Sequence, residues 1–211
     1  MKRVGVVLSG CGVYDGTEIN EAVLLFLELE RQGAQWYALT PDRAAMHTVD
    51  HTTGEAVEEE AARQVRAEAA RLTRGKVATF AEMPTSFLDG LVVPGGEGVV
   101  KNLMTGSFDL DRPAGALPEV EEYVVQLLEA GKPVGAVSLG EYLVSHILGR
   151  WKPEAPLPEK AYAALSAREA HVDPALRVVR TPGFLGTGRL PDVAEGVRQL
   201  VERLLALTEA A

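Results

Sequence analysis

Short apolar runs alternate with amphipathic stretches along this chain. Four runs, at 4–8, 34–39, 88–93 and 133–137, contain few polar positions and are typical of strands that are buried on both faces. The stretches between them carry apolar residues at helical spacing. This alternation predicts an α/β fold with a doubly wound, mostly parallel sheet flanked by helices, as in flavodoxin-like proteins. We expect residues 1–211 to form one domain.

The first helix has the clearest signals. Thr17 is its predicted N-cap, Asn20 occupies the place of the capping-box glutamate, and Gly33 ends the helix. Its apolar face consists of Ala22, Leu25, Phe26 and Leu29.

The rest of the chain shows weaker patterns. Helices are predicted at 55–74, 119–130, 142–148 and 191–207, with a poorly defined one at 161–170. Residues 46–53 predict a short strand or hairpin, and 171–179 predict one or two short strands. Irregular structure is predicted for 104–118 and for 151–158, which contains three prolines.

Composition and charge narrow the classes of partner. The net charge is -9 and no basic cluster is present, so nucleic acid is not an expected partner. Cys11 is the only cysteine, which excludes an intrachain disulfide and favours a reducing cytoplasmic location. The apolar run near the N-terminus is too short for a signal peptide, and no run is long enough to span a membrane. A small molecule is the expected partner.

Ser138 lies at the most informative junction. The strand at 133–137 passes directly into a helix through Ser138, Leu139 and Gly140, which is the layout of a nucleophile elbow. The full signature is Gly-x-Ser-x-Gly, and Ala136 replaces its first glycine. An ordinary strand-to-helix turn is the alternative.

Two other loops are expected at the same edge of the sheet. In the loop 95–98, the paired glycines Gly95 and Gly96 are expected to leave backbone N–H groups open to an anion or oxyanion. The alternative is that they form only a tight turn. The loop 9–15 contains Gly10 and Gly12, but Asp15 replaces the third glycine of a dinucleotide fingerprint and would oppose pyrophosphate. We therefore expect no nucleotide cofactor.

Two histidines raise the question of a metal site. On a strand, His47 and His51 would lie about 13 Å apart, and no further ligand is near them in the sequence. No metal site is predicted.

Three motifs, at 6–19, 51–55 and 93–103, resemble the ElbB-like, isoprenoid-biosynthesis-associated branch of the ThiJ/PfpI superfamily. The resemblance is strongest through residue 103 and implies a class I glutamine amidotransferase-like fold. It also implies a reactive cysteine at the elbow, a glutamate from the first helix bonded to it, and N–H groups of a Gly-Gly turn facing it. The corresponding residues are Ser138, Glu21, Gly95 and Gly96.

The elbow departs from the family pattern. A serine hydroxyl ionises far less readily than a thiol and needs a general base. Leu139 replaces the histidine of protease-like members, Glu141 replaces a common proline, and His146 is too distant along the helix to reach the hydroxyl. The resemblance implies weak glyoxalase activity without metal or glutathione, and that chemistry depends on the missing cysteine.

Two functional hypotheses follow. The first is a binding or metabolic accessory protein for a small polar metabolite or aldehyde-like ligand, with little thiol-dependent catalysis. The second is a glyoxalase-like or hydrolytic enzyme in which Ser138 is the nucleophile. In that enzyme Gly96 and Leu139 would form the oxyanion hole, and Glu21 or His171 would be the base. A base within about 3.2 Å of the hydroxyl would distinguish the two.

Further expectations concern the surroundings of the elbow. Ser138 should have a strained backbone with Glu21 within hydrogen-bond reach. Cys11 is either a small buried apolar residue or a displaced nucleophile in the same crevice. We also expect a homodimer. The other candidate pocket residues are Gly10, Gly12, Asp15, Glu18, Glu97, Lys101, Asn102, Glu141 and His171.

Overall fold

A central sheet and two helical layers form the fold. The computed structural model describes residues 1–58, 62–105, 115–153 and 165–209. Within these ranges the strands are β1 (Arg3–Val7), β2 (Gln35–Thr40), β3 (Thr48–Asp50), β4 (Glu55–Val57), β5 (Val77–Thr79), β6 (Gly90–Val93), β7 (Met104–Thr105), β8 (Gly115–Ala116), β9 (Val134–Val137), β10 (His171–Asp173) and β11 (Val178–Thr181). The helices are α1 (Ile19–Arg31), α2 (Val65–Thr73), α3 (Gly98–Asn102), α4 (Pro118–Glu129), α5 (Gly140–Trp151) and α6 (Leu190–Glu209).

The main sheet has the strand order β10-β11-β9-β6-β1-β2-β5. All neighbouring pairs are parallel except β10 with β11. Apolar side chains of α1, α2 and α6 pack on one face, and those of α3, α4 and α5 pack on the other. The predicted doubly wound, mostly parallel sheet is confirmed, and the carboxyl ends of β1, β6, β9 and β11 meet along one edge.

Helix α1 brings a carboxylate to that edge. Its predicted apolar face is buried, but the predicted N-cap is wrong: the Glu18 side chain caps the helix by accepting the Glu21 N–H at 2.6 Å. Thr17 instead accepts the Ser9 N–H at 2.7 Å and so ends β1. Glu18 caps the helix in place of Thr17 because the Thr17 hydroxyl is already bonded to Ser9. On its outer face α1 exposes an apolar stripe of Ile19, Val23 and Leu27.

The predicted helix at 55–74 is shorter than expected. Its first part pairs as β4 with β3, while α2 begins only at Val65. The turn between the two strands is closed locally, because Gly54, at φ 76°, donates its N–H to the Asp50 carbonyl at 2.7 Å. The predicted hairpin near 46–53 is therefore present, and it extends to Val57.

Other segments differ in detail. The ends of 104–118 pair as β7 and β8, whereas 106–114 lie outside the described residues. Of the predicted loop 151–158, Trp151 belongs to α5 and 154–158 lie outside the described residues. The predicted helix at 161–170 lies partly outside them, and 165–170 are not helical. No helix in the described ranges combines the length and apolarity that a membrane span requires.

Candidate functional site

Ser138 lies between β9 and α5 in a left-handed backbone conformation. Its φ is 54°, a region that costs a residue with a side chain about 1–2 kcal/mol. Two backbone hydrogen bonds stabilise this conformation. The Ser138 N–H donates to the Thr181 carbonyl at 3.1 Å, and the Glu141 N–H donates to the Ser138 carbonyl at 3.0 Å. The Ser138 side chain is only 6% exposed. The expectation of a strained elbow is confirmed.

Gly140 allows the elbow to sit against the sheet. A Cβ atom at this position would collide with the carbonyl oxygen of Val93, at the end of β6. The first turn of α5 therefore lies directly on the neighbouring strand, and this close approach explains the glycine of the Ser-x-Gly sequence.

Glu21 is the hydrogen-bonding partner of the Ser138 side chain. Its carboxylate is fully buried and accepts the Gly95 N–H at 2.8 Å on Oε2 and the Phe184 N–H at 3.0 Å on Oε1. The pKa of Glu21 is raised to about 7, mainly by burial and to a smaller extent by the nearby Glu18, although the hydrogen bonds to the carboxylate act in the opposite direction. The carboxyl thus changes its ionisation near neutral pH. The expected reach from Glu21 to Ser138 is confirmed.

The predicted oxyanion donors are only partly available. Gly95 donates its N–H to Glu21. The N–H is therefore not available to an oxyanion, contrary to the prediction. A Cβ at Gly95 would lie 2.7 Å from the Ser138 Cβ, so the turn is pressed against the elbow. The N–H groups of Gly96 and Leu139 donate no hydrogen bond to the described parts of the chain. Those two remain candidate donors.

The turn 95–98 connects the elbow with the glycine-rich loop after β1. The Gly98 N–H donates to the Gly16 carbonyl at 2.9 Å, and the Glu97 N–H donates to the Val13 carbonyl at 2.7 Å. The three predicted loops therefore converge at the carboxyl edge of the sheet, with 95–98 between the other two.

Cys11 faces a different crevice from the one predicted. The crevice has a volume of about 10 Å³, roughly the space of one water molecule. It is lined by Gly10, Cys11, Asp15, Ala45, His47, Arg63, Val65, Glu68 and Asn102. Ser138 and Glu21 are not part of this lining. Burial raises the pKa of the Cys11 thiol, and Glu68 adds to this effect, so the thiol form is stabilised. The geometry favours the interpretation of Cys11 as a packing residue.

Asn102 and Asp15 stabilise the loops around this crevice. Asn102 donates to the carbonyls of Ser9 and Asp15 at 2.8 and 2.9 Å and accepts the Met46 N–H at 3.0 Å. The Asp15 carboxylate accepts the Val49 N–H at 2.8 Å. These side chains join three segments, and the amide nitrogen of Asn102 uses both of its hydrogens in doing so.

The remaining candidates near this loop also have structural partners. Gly10 and Gly12 have φ values of 114° and 132°, which turn the chain after β1. Lys101 lies 2.8 Å from Glu97 and donates to the Tyr14 carbonyl at 2.5 Å. Glu18, as described above, caps α1. The structure does not bring these residues to Ser138.

Glu141 and His171 lie on the other side of the elbow, around Arg180. The Glu141 carboxylate is 2.8 Å from Arg180 Nε and accepts the Ser145 hydroxyl at 2.5 Å. Burial raises the pKa of Glu141, and the Arg180 charge opposes that effect. His171 is the register partner of Arg180. Glu21 forms a side-chain hydrogen bond with Ser138, which favours Glu21 over His171 as the candidate base.

Three functional positions were not predicted from the sequence. Arg180 is fully buried, Phe184 supplies an N–H to Glu21, and Gly183 leaves room for Glu21 where a Cβ would collide with its carboxylate. The available signal was a charged residue, Arg180, directly after the apolar pair Val178 and Val179 and shortly before Pro182 and Gly183.

Other site types find little support in the described ranges. No group of three or more histidine, cysteine or acidic residues there could hold a metal ion. A pocket of about 530 Å³ lies near Gln35, Trp36 and Lys76, toward the amino end of β2. It is at the opposite edge of the sheet from Ser138.

Comparisons with known proteins agree with this fold. No protein-family model matches the chain. The chain is 37% identical to human glutamine amidotransferase-like class 1 domain-containing protein 3, mitochondrial, over 98% of this chain and 83% of that protein. A crystal structure of an isoprenoid biosynthesis protein with an amidotransferase-like domain from Ehrlichia chaffeensis has a TM-score of 0.87 at 30% identity, covering 97% of this chain and 99% of that one. A DJ-1 superfamily protein from Salmonella typhimurium shares the fold, with a TM-score of 0.52 at 19% identity over 100% of this chain and 95% of that one.

Proposed function

Because this chain belongs to the family of glutamine amidotransferase-like class 1 domain proteins, within the ThiJ/PfpI superfamily, we propose that it binds a small polar ligand as a metabolic accessory protein. In this proposal the elbow has little or no thiol-dependent catalysis. The Ehrlichia neighbour is described as an isoprenoid biosynthesis protein, which supports a role beside a metabolic reaction.

The observation that carries this proposal is the enclosure of the Ser138 hydroxyl. Ser138 is 6% exposed, and its carboxyl partner Glu21 is fully buried beneath Gly95. A hydroxyl in this position has neither the acidity of a thiol nor an open approach for a carbonyl carbon. Attack on an aldehyde would require Glu21 or the 95–98 turn to move.

A second candidate function is supported by one specific observation. Glu21 is the candidate base, because its carboxyl is hydrogen bonded to Ser138 and its pKa is about 7. In a glyoxalase-like or hydrolytic enzyme, ionised Glu21 would take the hydroxyl proton while Ser138 Oγ attacks the carbonyl carbon. The N–H groups of Gly96 and Leu139 would then stabilise the oxyanion.

The two functions are distinguished by the turnover of methylglyoxal to lactate. We expect the wild-type protein to show little turnover, Ser138→Ala to match it, and Ser138→Cys to raise it, because a thiol beside the N-terminus of α5 is more readily ionised. Ser166→Cys is the matched control, since Ser166 is exposed and lies outside the elbow. All variants should carry Cys11→Ala, so that the introduced thiol is the only one.

The opposite pattern would favour the enzyme. If wild-type turnover is high, is abolished by Ser138→Ala and rises with pH through about 7 as Glu21 ionises, the accessory-protein proposal is wrong. The expected cytoplasmic location and homodimer remain predictions. The human relative is named as a mitochondrial protein, and that location belongs to the relative.

A further inference from the structure

Arg180 is a charged residue in the apolar interior beside the elbow. It is in register with Ala136 of β9, one position before the end of each strand. Val178, two residues earlier on the same face of β11, belongs to the apolar cluster that packs against α4 and α5. The Arg180 side chain is fully buried.

Within the described ranges, only one edge of the Arg180 guanidinium has a hydrogen-bond partner. Nε donates to Glu141 at 2.8 Å, whereas Nη1 and Nη2 are buried and have no hydrogen-bond partner among the described residues. Buried charged donors without acceptors are strongly unfavourable. The Glu141 carboxylate accepts one bond from Nε and one from the Ser145 hydroxyl, and it forms no hydrogen bond with Nη1 or Nη2.

The location points to a ligand. In open α/β sheets, ligands bind beyond the carboxyl ends of the strands, where Arg180 lies. The elbow contacts both sides of the Arg180–Glu141 pair, since Ser138 donates its N–H to the carbonyl of Thr181 and accepts the N–H of Glu141. A group bound by Arg180 would therefore be adjacent to the elbow.

We propose that Nη1 and Nη2 of Arg180 bind the carboxylate of a small ligand at this edge of the sheet. The inference rests on the proposed binding function and names the chemical class of its ligand. The two nitrogens form a planar fork that matches a carboxylate with two parallel hydrogen bonds. Because Glu141 already balances one charge, a monocarboxylate introduces less repulsion than a dianionic phosphate. A cation or an apolar molecule would leave the donors unpaired.

Isothermal titration with acetate tests this proposal, with acetamide as an uncharged probe of the same shape at constant ionic strength. We expect the wild-type protein to bind acetate and not acetamide. Arg180→Gln should weaken acetate binding at least about tenfold, because it removes the charged fork. Arg198→Gln is the matched control and should leave binding unchanged, since Arg198 is half-buried on α6 and paired with Glu195 and Glu202.

A second variant keeps the test decisive if Arg180→Gln does not fold. Glu141→Gln removes the competing negative charge and should tighten acetate binding several-fold. Unchanged binding in either variant would overturn the role of Arg180. Failure of the wild-type protein to bind acetate would overturn the proposal. The methylglyoxal result for Ser138 would be unaffected, so the two proposals can fail separately.

Discussion

The substitution Glu21→Gln tests the buried carboxyl at the elbow. The wild-type carboxyl accepts N–H groups from Gly95 and Phe184 on separate oxygens. A glutamine offers one acceptor oxygen, and its amide nitrogen would face the second N–H group. The variant should therefore be less stable than the wild-type protein in acid, where Glu21 is protonated and both its oxygens still accept.

The pKa of Glu21 sets how strongly the free energy of unfolding depends on pH. The pKa of Glu21 is about 7 in the folded protein against an ordinary 4.5, so between these values the folded state binds more protons than the unfolded chain. Stability is then fully present below about pH 4.5 and falls as pH rises through 7. At about 1.36 kcal/mol per pKa unit, the total loss from this group is about 3 kcal/mol. About 2–3 kcal/mol of it falls between pH 5 and 8.

Urea unfolding of both proteins across pH 5–8 measures this effect. The free energy of unfolding of the wild-type protein minus that of Glu21→Gln should fall by about 2–3 kcal/mol over this range. Taking the difference cancels other groups, including Glu141. Glu195→Gln is the control, and its difference should be flat, because Glu195 has a pKa of about 2 and is already ionised. A flat or rising difference for Glu21→Gln would refute the buried, proton-binding carboxyl.

Three further predictions concern packing, reactivity and assembly. Gly140→Ala should lower the free energy of unfolding by about 3 kcal/mol, because the added Cβ would collide with the carbonyl oxygen of Val93. Gly131→Ala should lower it by about 1 kcal/mol, because Gly131 has a φ of 70° but open space around it. Equal losses for the two variants in urea unfolding would contradict this prediction. Cys11 should react with iodoacetamide at pH 7.5 more slowly than free cysteine until the protein is unfolded, and rapid native alkylation that ligands suppress would make it a reactive centre. Sedimentation should show a homodimer, and Val23→Glu should weaken it because Val23 lies on the exposed apolar stripe of α1. A wild-type monomer, or a dimer that Val23→Glu does not affect, would exclude this stripe as the dimer interface.

The order of strands and helices could be predicted because each buried strand forms a short apolar run and the helices are amphipathic. The position of Ser138 followed from the same pattern, since an apolar strand runs directly into a helix at a Ser-x-Gly sequence. The charged stretch at 55–74 was misassigned because alanine and glutamate favour helices locally, while the Asp50–Gly54 turn directs Glu55–Val57 into a strand pair. Cross-strand pairing overrides propensity there.

The hydrogen-bond partners of the site residues could not be predicted, because they depend on which atoms of distant segments come into contact. The Gly-Gly turn indicated open N–H groups, but Gly95 donates to Glu21 instead. The burial of Arg180 depends on the register of β11 beside β9, which short strands in the last third of the chain do not specify. Cys11 follows β1 at the same edge of the sheet as the predicted site, yet the turn of the glycine loop directs it into another crevice.

The bonds of Glu21 also have a consequence for how this chain folds. They join a carboxyl in the first helix to backbone groups 74 and 163 residues further along, so they close large loops. We expect such bonds to form after the nearby strands have paired, so their loss should speed unfolding more than it slows folding. During synthesis the first helix leaves the ribosome long before Phe184 does. The elbow consequently reaches its final form only when the last part of the chain has been made.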